Sequence, residues 1–188
     1  WGSPPPPLSA TAWAFGRVWG AAGSRVYYSE PYQPELFMLS TSFFDMGEPV
    51  LLIAKGQNGM FFGCEKATHF MAGSSPAEMV QIHAAPGVIP GTLCYASDLG
   101  ELGKNVPVWL GKDGVYAGLA DGQTINLIKD KVQINPEQVQ GASISRVRDG
   151  RRQMLFSMQH KRPAGLAGQD VGFGDLVSCE VVRKGSVI

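Results

Sequence analysis

Cys64 and His69 are the residues whose types and spacing come closest to a catalytic pair. A thiol beside an imidazole can act as a nucleophile with its base. The two residues flank a turn between predicted strands, and we expect the strand geometry to separate their side chains. The sequence also lacks the Gly-x-Ser-x-Gly elbow of serine hydrolases. We therefore interpret Cys64 as a core or edge thiol and expect no catalytic residue.

The remaining chemical groups do not form a metal-binding or acid–base set. The three cysteines are widely spaced without a Cys-x-x-Cys pair, and no histidine lies at a ligand spacing from another. Asp113, Asp121 and Asp149 each precede a glycine, which is typical of turn formers. Phosphate-binding and dinucleotide-binding motifs are absent from the sequence. We expect no metal site, no cofactor and no enzyme activity.

Basic residues cluster around one predicted hairpin near the end of the chain. Residues 146–162 contain six lysines and arginines and one acid. Period two places Arg146 and Arg148 on one strand face, and Arg151 and Arg152 follow at the tip. Such a cluster can contact DNA phosphates or an acidic protein surface. The alternative, which we favour, is a solvated edge whose charges prevent edge-to-edge aggregation.

Aromatic residues near the start of the chain form a second candidate surface. We predict that Trp13, Phe15 and Trp19 alternate on one face of the first strand. Core packing explains them best. An interface with a preceding domain is the alternative, because the Pro4–Pro7 run is typical of a junction between modules.

A repeat predicts the elements that carry these residues. Val50–Gly63 contains two strand-like runs around a turn at Gly59, and Val106–Gly118 repeats the pattern around Gly114, about 55 residues later. A Val-Gln-Ile segment follows each unit, at Val80 and Val132. Further hairpin tips are predicted at Gly23 and Gly150. The Asn-Gly and Asp-Gly pairs at three of these four tips favour turns with positive φ.

The tip spacings, about 36 and 55 residues, bracket the length of a propeller blade. We predict an all-β chain of antiparallel, propeller-like blades, three to four of them, with residues 1–12 as a proline-rich arm and 13–188 as the blade domain. A closed propeller has at least four blades. The chain is therefore either a small propeller or the C-terminal part of a larger protein, and a β-sandwich is the alternative fold.

The composition fits a sheet protein whose surface is partly covered by neighbours. Charged residues make up 17% of the chain, and it has 24 glycines, against a usual charged share of roughly 25%. Lysine plus arginine equals aspartate plus glutamate at 16 each, so no net charge attracts polyanions. No apolar run is long enough to predict a membrane span.

Four segments resemble tailed-bacteriophage virion proteins with propeller-like repeats. They are Arg25–Phe37, Val88–Thr92, Val108–Gly122 and Ser178–Ile188. The resemblance covers most of the chain from about residue 14, and its motifs are blade and turn motifs. Such proteins include the nozzle-type tail proteins of short-tailed phages, which are built around propellers and assemble as rings. They are much longer, so we expect an N-terminal part to precede this chain.

The resemblance implies a non-enzymatic structural component of a phage tail or neck, located in the virion. Its expected partners are other virion proteins and further copies of itself in a homo-oligomeric ring, with possible non-specific contact to DNA. The alternative is a carbohydrate- or receptor-binding propeller module similar to a lectin or adhesin. That alternative requires aromatic and amide residues at equivalent loop positions, and its candidates are Trp109 and Phe61 or Phe62.

Overall fold

The computed structural model describes residues 4–128, 138–148, 151–160 and 177–182. Within these ranges the chain consists of β-strands, turns and one short 3-10 segment, Gly100–Leu102, and contains no α-helix. The strands form four antiparallel sheets. The predicted all-β class is confirmed. Among the residues described, no helix has the length and apolar character needed to cross a membrane.

The first two sheets are formed by consecutive strands in the first half of the chain. One has the order β1-β2-β3-β4 with β5 also paired to β3, and the other has the order β6-β7-β8-β9. Their strands are β1 Ala10–Ala14, β2 Arg17–Ala22, β3 Arg25–Glu30, β4 Gln33–Phe37, β5 Phe43–Asp45, β6 Val50–Lys55, β7 Gly59–Cys64, β8 Ala67–Ala72 and β9 Val80–Pro86.

The other two sheets follow the same simple order. They are β10-β11-β12-β13 and β14-β15-β16. Their strands are β10 Cys94–Asp98, β11 Lys104–Gly111, β12 Gly114–Gly118, β13 Thr124–Asn126, β14 Gln138–Arg148, β15 Arg151–His160 and β16 Val177–Val182. Within these two sheets, strands that follow one another in sequence are hydrogen-bonded neighbours.

The chain divides into two compact units, each with its own core. Unit 1 comprises Trp1–Val88 with Gly118–Ile125, and unit 2 comprises Ile89–Ala117 with Asn126–Ile188. The core of unit 1 is formed by Ala14, Trp19, Ala21, Val26, Met46, Val50, Ile53, Met60, Phe62, Cys64 and Met71. The core of unit 2 is formed by Ile89, Cys94, Ala96, Leu99, Val106, Val108, Leu110, Val115, Ala117, Ile128, Met154, Phe156 and Met158.

The predicted placement of the N-terminal aromatics on one face is wrong. Phe15 and Gly16 both have positive φ, 51° and 70°, and form a two-residue turn that divides the predicted first strand into β1 and β2. In the resulting pair Trp13 lies opposite Val18, and Ala12 lies opposite Trp19. Cross-strand partners share a face, and adjacent residues do not. Trp13 and Trp19 therefore project to opposite faces.

The repeat in the sequence corresponds to two hairpins but not to two equivalent sheets. The β6–β7 and β11–β12 hairpins are present as predicted. However, β6 is the first strand of its sheet, whereas β11 is the second strand of its sheet. The predicted segment at Val132 and the predicted tip at Gly150 lie outside the described residues.

Positive φ explains only one of the three predicted tips that the structure describes. Gly23 has φ 60°, whereas Gly59 and Gly114 are not among the residues with positive φ. A Cβ at Gly59 would collide with the carbonyl oxygen of Met71, and a Cβ at Gly114 would collide with the side-chain amide of Asn126. Glycine at these two tips thus permits a close approach between neighbouring strands.

Candidate functional site

Three side chains in unit 1 bring oxygen, sulfur and nitrogen donors together. A carboxylate oxygen of Glu48, the sulfur of Cys64 and a ring nitrogen of His69 all lie within 4.8 Å of one another. This Glu48–Cys64–His69 cluster contradicts the expectation that strand geometry separates Cys64 from His69. It is the group of residues best placed to do chemistry in the described part of the chain.

Strand pairing places the thiol and the imidazole on the same face. Phe62 and Cys64 project to one side of β7 by period two, and His69 of β8 lies directly opposite Phe62. His69 is thus the diagonal cross-strand neighbour of Cys64, a separation that long side chains can span. The turn at Glu65–Lys66 allows this arrangement rather than preventing it.

Glu48 reaches the cluster from the loop between β5 and β6. The backbone N–H of Lys66 donates a hydrogen bond to Glu48 Oε2 at 3.0 Å. The other carboxylate oxygen, Oε1, lies 3.8 Å from His69 Nε2. One carboxylate therefore both fixes the β7–β8 turn and faces the imidazole.

The imidazole is held from its other side by β9. The Gln81 side-chain amide lies 3.1 Å from His69 Nδ1. The side chains of His69 and Glu48 are 16% and 20% exposed, whereas Cys64 is fully buried in the core of unit 1. The cluster thus lies at the boundary between core and solvent.

The electrostatic environment makes Cys64 a poor nucleophile. Burial, and to a lesser degree the negative charge of Glu48, raises the pKa of the Cys64 thiol to about 12. A thiol with such a pKa is protonated at neutral pH, and the thiolate is the reactive form. The prediction that Cys64 is a core thiol is confirmed. Burial also raises the pKa of Cys94 in unit 2.

Sequence reasoning missed Glu48 and the proximity of His69. Glu48 lies in a loop far from the other two residues along the chain, and no spacing rule connects them. The signal that could have found the pair is the register of the β7–β8 hairpin, since a tight turn after Cys64 sets Phe62 opposite His69.

The predicted basic cluster is described only in part. Arg146 and Arg148 are exposed on one face of β14, and Arg146 Nε donates a hydrogen bond to Gln153 Oε1 at 2.9 Å. Backbone pairing places Arg151 opposite Arg148 and Arg152 opposite Val147. The side chains of Arg151 and Arg152 lie outside the described residues.

The three N-terminal aromatics occupy three different environments. Trp19 is a core residue whose indole N–H donates to the carbonyl oxygen of Ala14 at 3.0 Å. Phe15 lies in the turn, with the Lys55 ammonium 5.5 Å from its ring centre. Trp13 is 55% exposed. Trp13 is thus the member of this set with the most surface available to a partner.

Exposed apolar side chains concentrate on the edge strands of all four sheets. Nine large apolar residues are exposed among those described, and seven of them lie in the first or last strand of a sheet. The seven are Trp13 in β1, Val80 and Ile82 in β9, Tyr95 in β10, Ile125 in β13, and Ile144 and Val147 in β14.

Two of the predicted turn-forming aspartates are described, and the carboxylate of one of them, Asp121, bonds within its turn. Asp121 Oδ1 accepts a hydrogen bond from the backbone N–H of Gln123, and Asp113 Oδ1 accepts one from the Tyr116 hydroxyl. Asp149 lies outside the described residues. These hydrogen bonds explain the positions of both carboxylates, and no acid–base role is needed to explain them.

The chain matches no protein-family model and no curated protein sequence.

Proposed function

We propose that this chain is a non-enzymatic structural component of a bacteriophage tail or neck, which assembles through protein–protein contacts. The observation that carries the proposal is the set of exposed apolar side chains on the edge strands of every sheet. An edge strand presents unpaired backbone groups, and natural monomers usually protect such edges with charge or proline. Apolar edges therefore favour contact with further protein.

The simple order of the sheets supports a propeller-like arrangement in this assembly. The sheets β6-β7-β8-β9 and β10-β11-β12-β13 each consist of four consecutive antiparallel strands. A propeller blade is a four-stranded sheet of this kind. The resemblance of the sequence to propeller-containing virion proteins is a second, independent support, and a homo-oligomeric ring is the assembly it implies.

The chemistry of the described residues supports a role without catalysis. Cys64 carries a strongly raised pKa, the Asp121 carboxylate is bonded within its turn, and the Asp113 carboxylate accepts a hydrogen bond from the Tyr116 hydroxyl. Arg146 and Arg148, exposed on one face of β14, are the proposed point of non-specific contact with DNA in a channel.

The lectin-like alternative is less well supported. Its candidate aromatics, Trp109, Phe61 and Phe62, are all fully buried and offer no ring face to a sugar. Among the described residues Trp13 and Tyr95 are exposed aromatics in edge strands, and Tyr32 is an exposed aromatic in the β3–β4 turn, so the three do not occupy equivalent loop positions.

Antibody labelling of particles tests the proposed location. We expect a polyclonal antibody raised against the purified chain to label the tail or neck of phage particles in electron micrographs. Pre-immune serum on the same particles is the control. An antibody that binds the purified chain but labels no particle contradicts the proposal.

A further inference from the structure

We propose that Glu48, Cys64 and His69 form a zinc-binding site in unit 1, with water as the fourth ligand. The inference concerns an ion rather than a partner and does not depend on the proposed function. Its basis is the convergence of three different donor atoms within 4.8 Å.

The distances in the cluster fit a tetrahedral zinc ion. Zinc binds sulfur at about 2.3 Å and nitrogen or oxygen at about 2.0 to 2.2 Å, which holds tetrahedral donors roughly 3.3 to 3.6 Å apart. His69 Nε2 and Glu48 Oε1 are already 3.8 Å apart. The other donor pairs lie within 4.8 Å, so binding requires the donors to close by at most about 1.5 Å.

The outer contacts of the cluster orient its donors. The Lys66 N–H holds Glu48 Oε2 and leaves Oε1 facing His69. Gln81 engages His69 at Nδ1, on the far side of the ring from Glu48. In the structure Gln81 Nε2 is the atom that faces Nδ1. Rotation of this amide by 180° would place its oxygen on an Nδ1–H group and leave the lone pair of His69 Nε2 for the ion. Metal-binding histidines commonly have such a partner.

The donor types favour zinc over harder cations. Thiolate and imidazole suit zinc, whereas magnesium and calcium prefer oxygen ligands throughout. The carboxylate and the thiolate together balance the charge of a divalent ion, and binding releases the thiol proton to solvent. Three protein ligands with an open fourth position form a common zinc arrangement. A bound ion would tie the β5–β6 loop to the β7–β8 hairpin.

Titration of the 188-residue chain with Co²⁺ tests the site, because a thiolate-bound cobalt ion gives a strong charge-transfer absorption. We expect one equivalent of Co²⁺ to produce this band, Zn²⁺ to remove it, and Mg²⁺ to leave it unchanged. Cys64→Ser should abolish the band. The matched control is Cys94→Ser, which changes another buried cysteine in unit 2 and should retain it.

Two further variants keep the test decisive where Cys64→Ser does not fold. Glu48→Gln, confirmed as folded by circular dichroism, should weaken Co²⁺ binding at least tenfold, because it loses the anionic ligand. Gln81→Ala should weaken it about 10- to 100-fold, as an outer partner of a metal-bound histidine. No band in the wild-type chain overturns the proposal. A band lost in Cys94→Ser, or full affinity in folded Glu48→Gln, overturns it too.

Discussion

Thr92 shows how one buried hydroxyl holds a loop to a strand. Its Oγ1 accepts a hydrogen bond from the Leu110 N–H at 3.1 Å and donates to the Ile89 carbonyl oxygen at 2.6 Å. The Ile89 N–H in turn donates to the Leu110 carbonyl oxygen at 2.9 Å. The Val88–Thr92 segment, noted in the sequence for its resemblance to virion proteins, thus ends in a hydrogen-bonded joint on β11.

Thr92→Val keeps the shape of this side chain but removes its hydrogen bonds. Because the groups left behind are buried, we expect the free energy of unfolding to fall by about 1 to 3 kcal/mol. Urea denaturation measures the change. Thr41→Val is the matched control, since Thr41 is exposed and its loss should be within about 0.5 kcal/mol. Equal losses in the two variants would argue against this role of Thr92.

The raised pKa of Tyr116 predicts that the folded state loses stability at high pH. Burial, followed by its hydrogen bond to Asp113 and the charge of that carboxylate, raises the pKa of Tyr116 to about 12 from 10.0. The folded state then retains a proton that the unfolded state loses, so this contribution to stability falls as pH rises from about 10 to 12.

Tyr116→Phe should therefore make stability less dependent on pH in this range. The measurement is the free energy of unfolding at pH 8 and pH 11 for the wild-type chain and the variant. Asp113→Asn should lower the pKa of Tyr116, because it removes the negative charge. The account of Tyr116 is wrong if the wild-type chain and Tyr116→Phe lose equal stability between the two pH values.

Local sequence patterns predicted the roles of single residues better than they predicted which residues form a cluster. Asp121 was predicted as a turn former from the glycine that follows it, and its carboxylate bonds within that turn. The Glu48–Cys64–His69 cluster was not predictable in this way, because it depends on hairpin register and on a loop that no local rule connects to it.

At the scale of the element, glycines at hairpin tips serve two physical purposes. Gly23 has positive φ and open space around its α-carbon, whereas Gly59 faces the Met71 carbonyl oxygen and the Phe70 ring. The sequence predicts positive φ at Gly59 and Gly114 from their Asn-Gly and Asp-Gly pairs, but of these three tips it is Gly23, which follows an alanine, that has positive φ. The close approach at Gly59 depends on the neighbouring strand β8. The residues next to Gly59 in the sequence therefore do not predict it.

Replacing Gly23 or Gly59 with alanine should distinguish a glycine needed for positive φ from a glycine needed for close approach. Gly59→Ala places a methyl group against backbone, and we expect it to cost about 3 kcal/mol or more. Gly23→Ala should cost about 1 kcal/mol for its left-handed conformation, and Gly23→Asn should be nearly neutral. Thermal and urea denaturation of the three variants provide the comparison. A smaller loss for Gly59→Ala than for Gly23→Ala would contradict the close-approach explanation.

The exposed face of β14 predicts a salt-dependent contact with DNA. We expect Arg146→Gln with Arg148→Gln to weaken binding to mixed-sequence duplex DNA and to reduce the slope of log affinity against log salt by about one per arginine. Lys104→Gln with Lys112→Gln, which removes two exposed charges from β11 and the β11–β12 turn, is the charge-matched control. An unchanged slope in the double variant would remove this face from the proposal.

At the scale of the whole molecule, the all-β class was predictable, and the division into two units was not. Frequent glycine turns between apolar runs indicate strands wherever they occur. The units are not contiguous in sequence, because residues 118–125 belong with residues 1–88. The unit to which a segment belongs depends on contacts between residues that are distant in sequence. The periodicity of the sequence does not reveal such contacts.

The proposed assembly depends on exposed apolar residues of the edge strands. Val80 and Ile82 are 63% and 47% exposed on β9, the last strand of its sheet. Lysine side chains on an edge strand oppose pairing with another chain. Val80→Lys with Ile82→Lys should thus weaken assembly while leaving the core intact. Gln57→Lys with Asn58→Lys adds the same charge at an exposed turn and is the matched control.

Sedimentation equilibrium of these three proteins tests assembly through exposed edge strands most directly. We expect the wild-type chain and the Gln57→Lys, Asn58→Lys control to sediment as oligomers of the 20.1 kDa chain. The folded Val80→Lys, Ile82→Lys variant should shift towards the monomer. A wild-type chain that remains monomeric at every concentration, or a folded edge variant with the wild-type mass, would contradict the account.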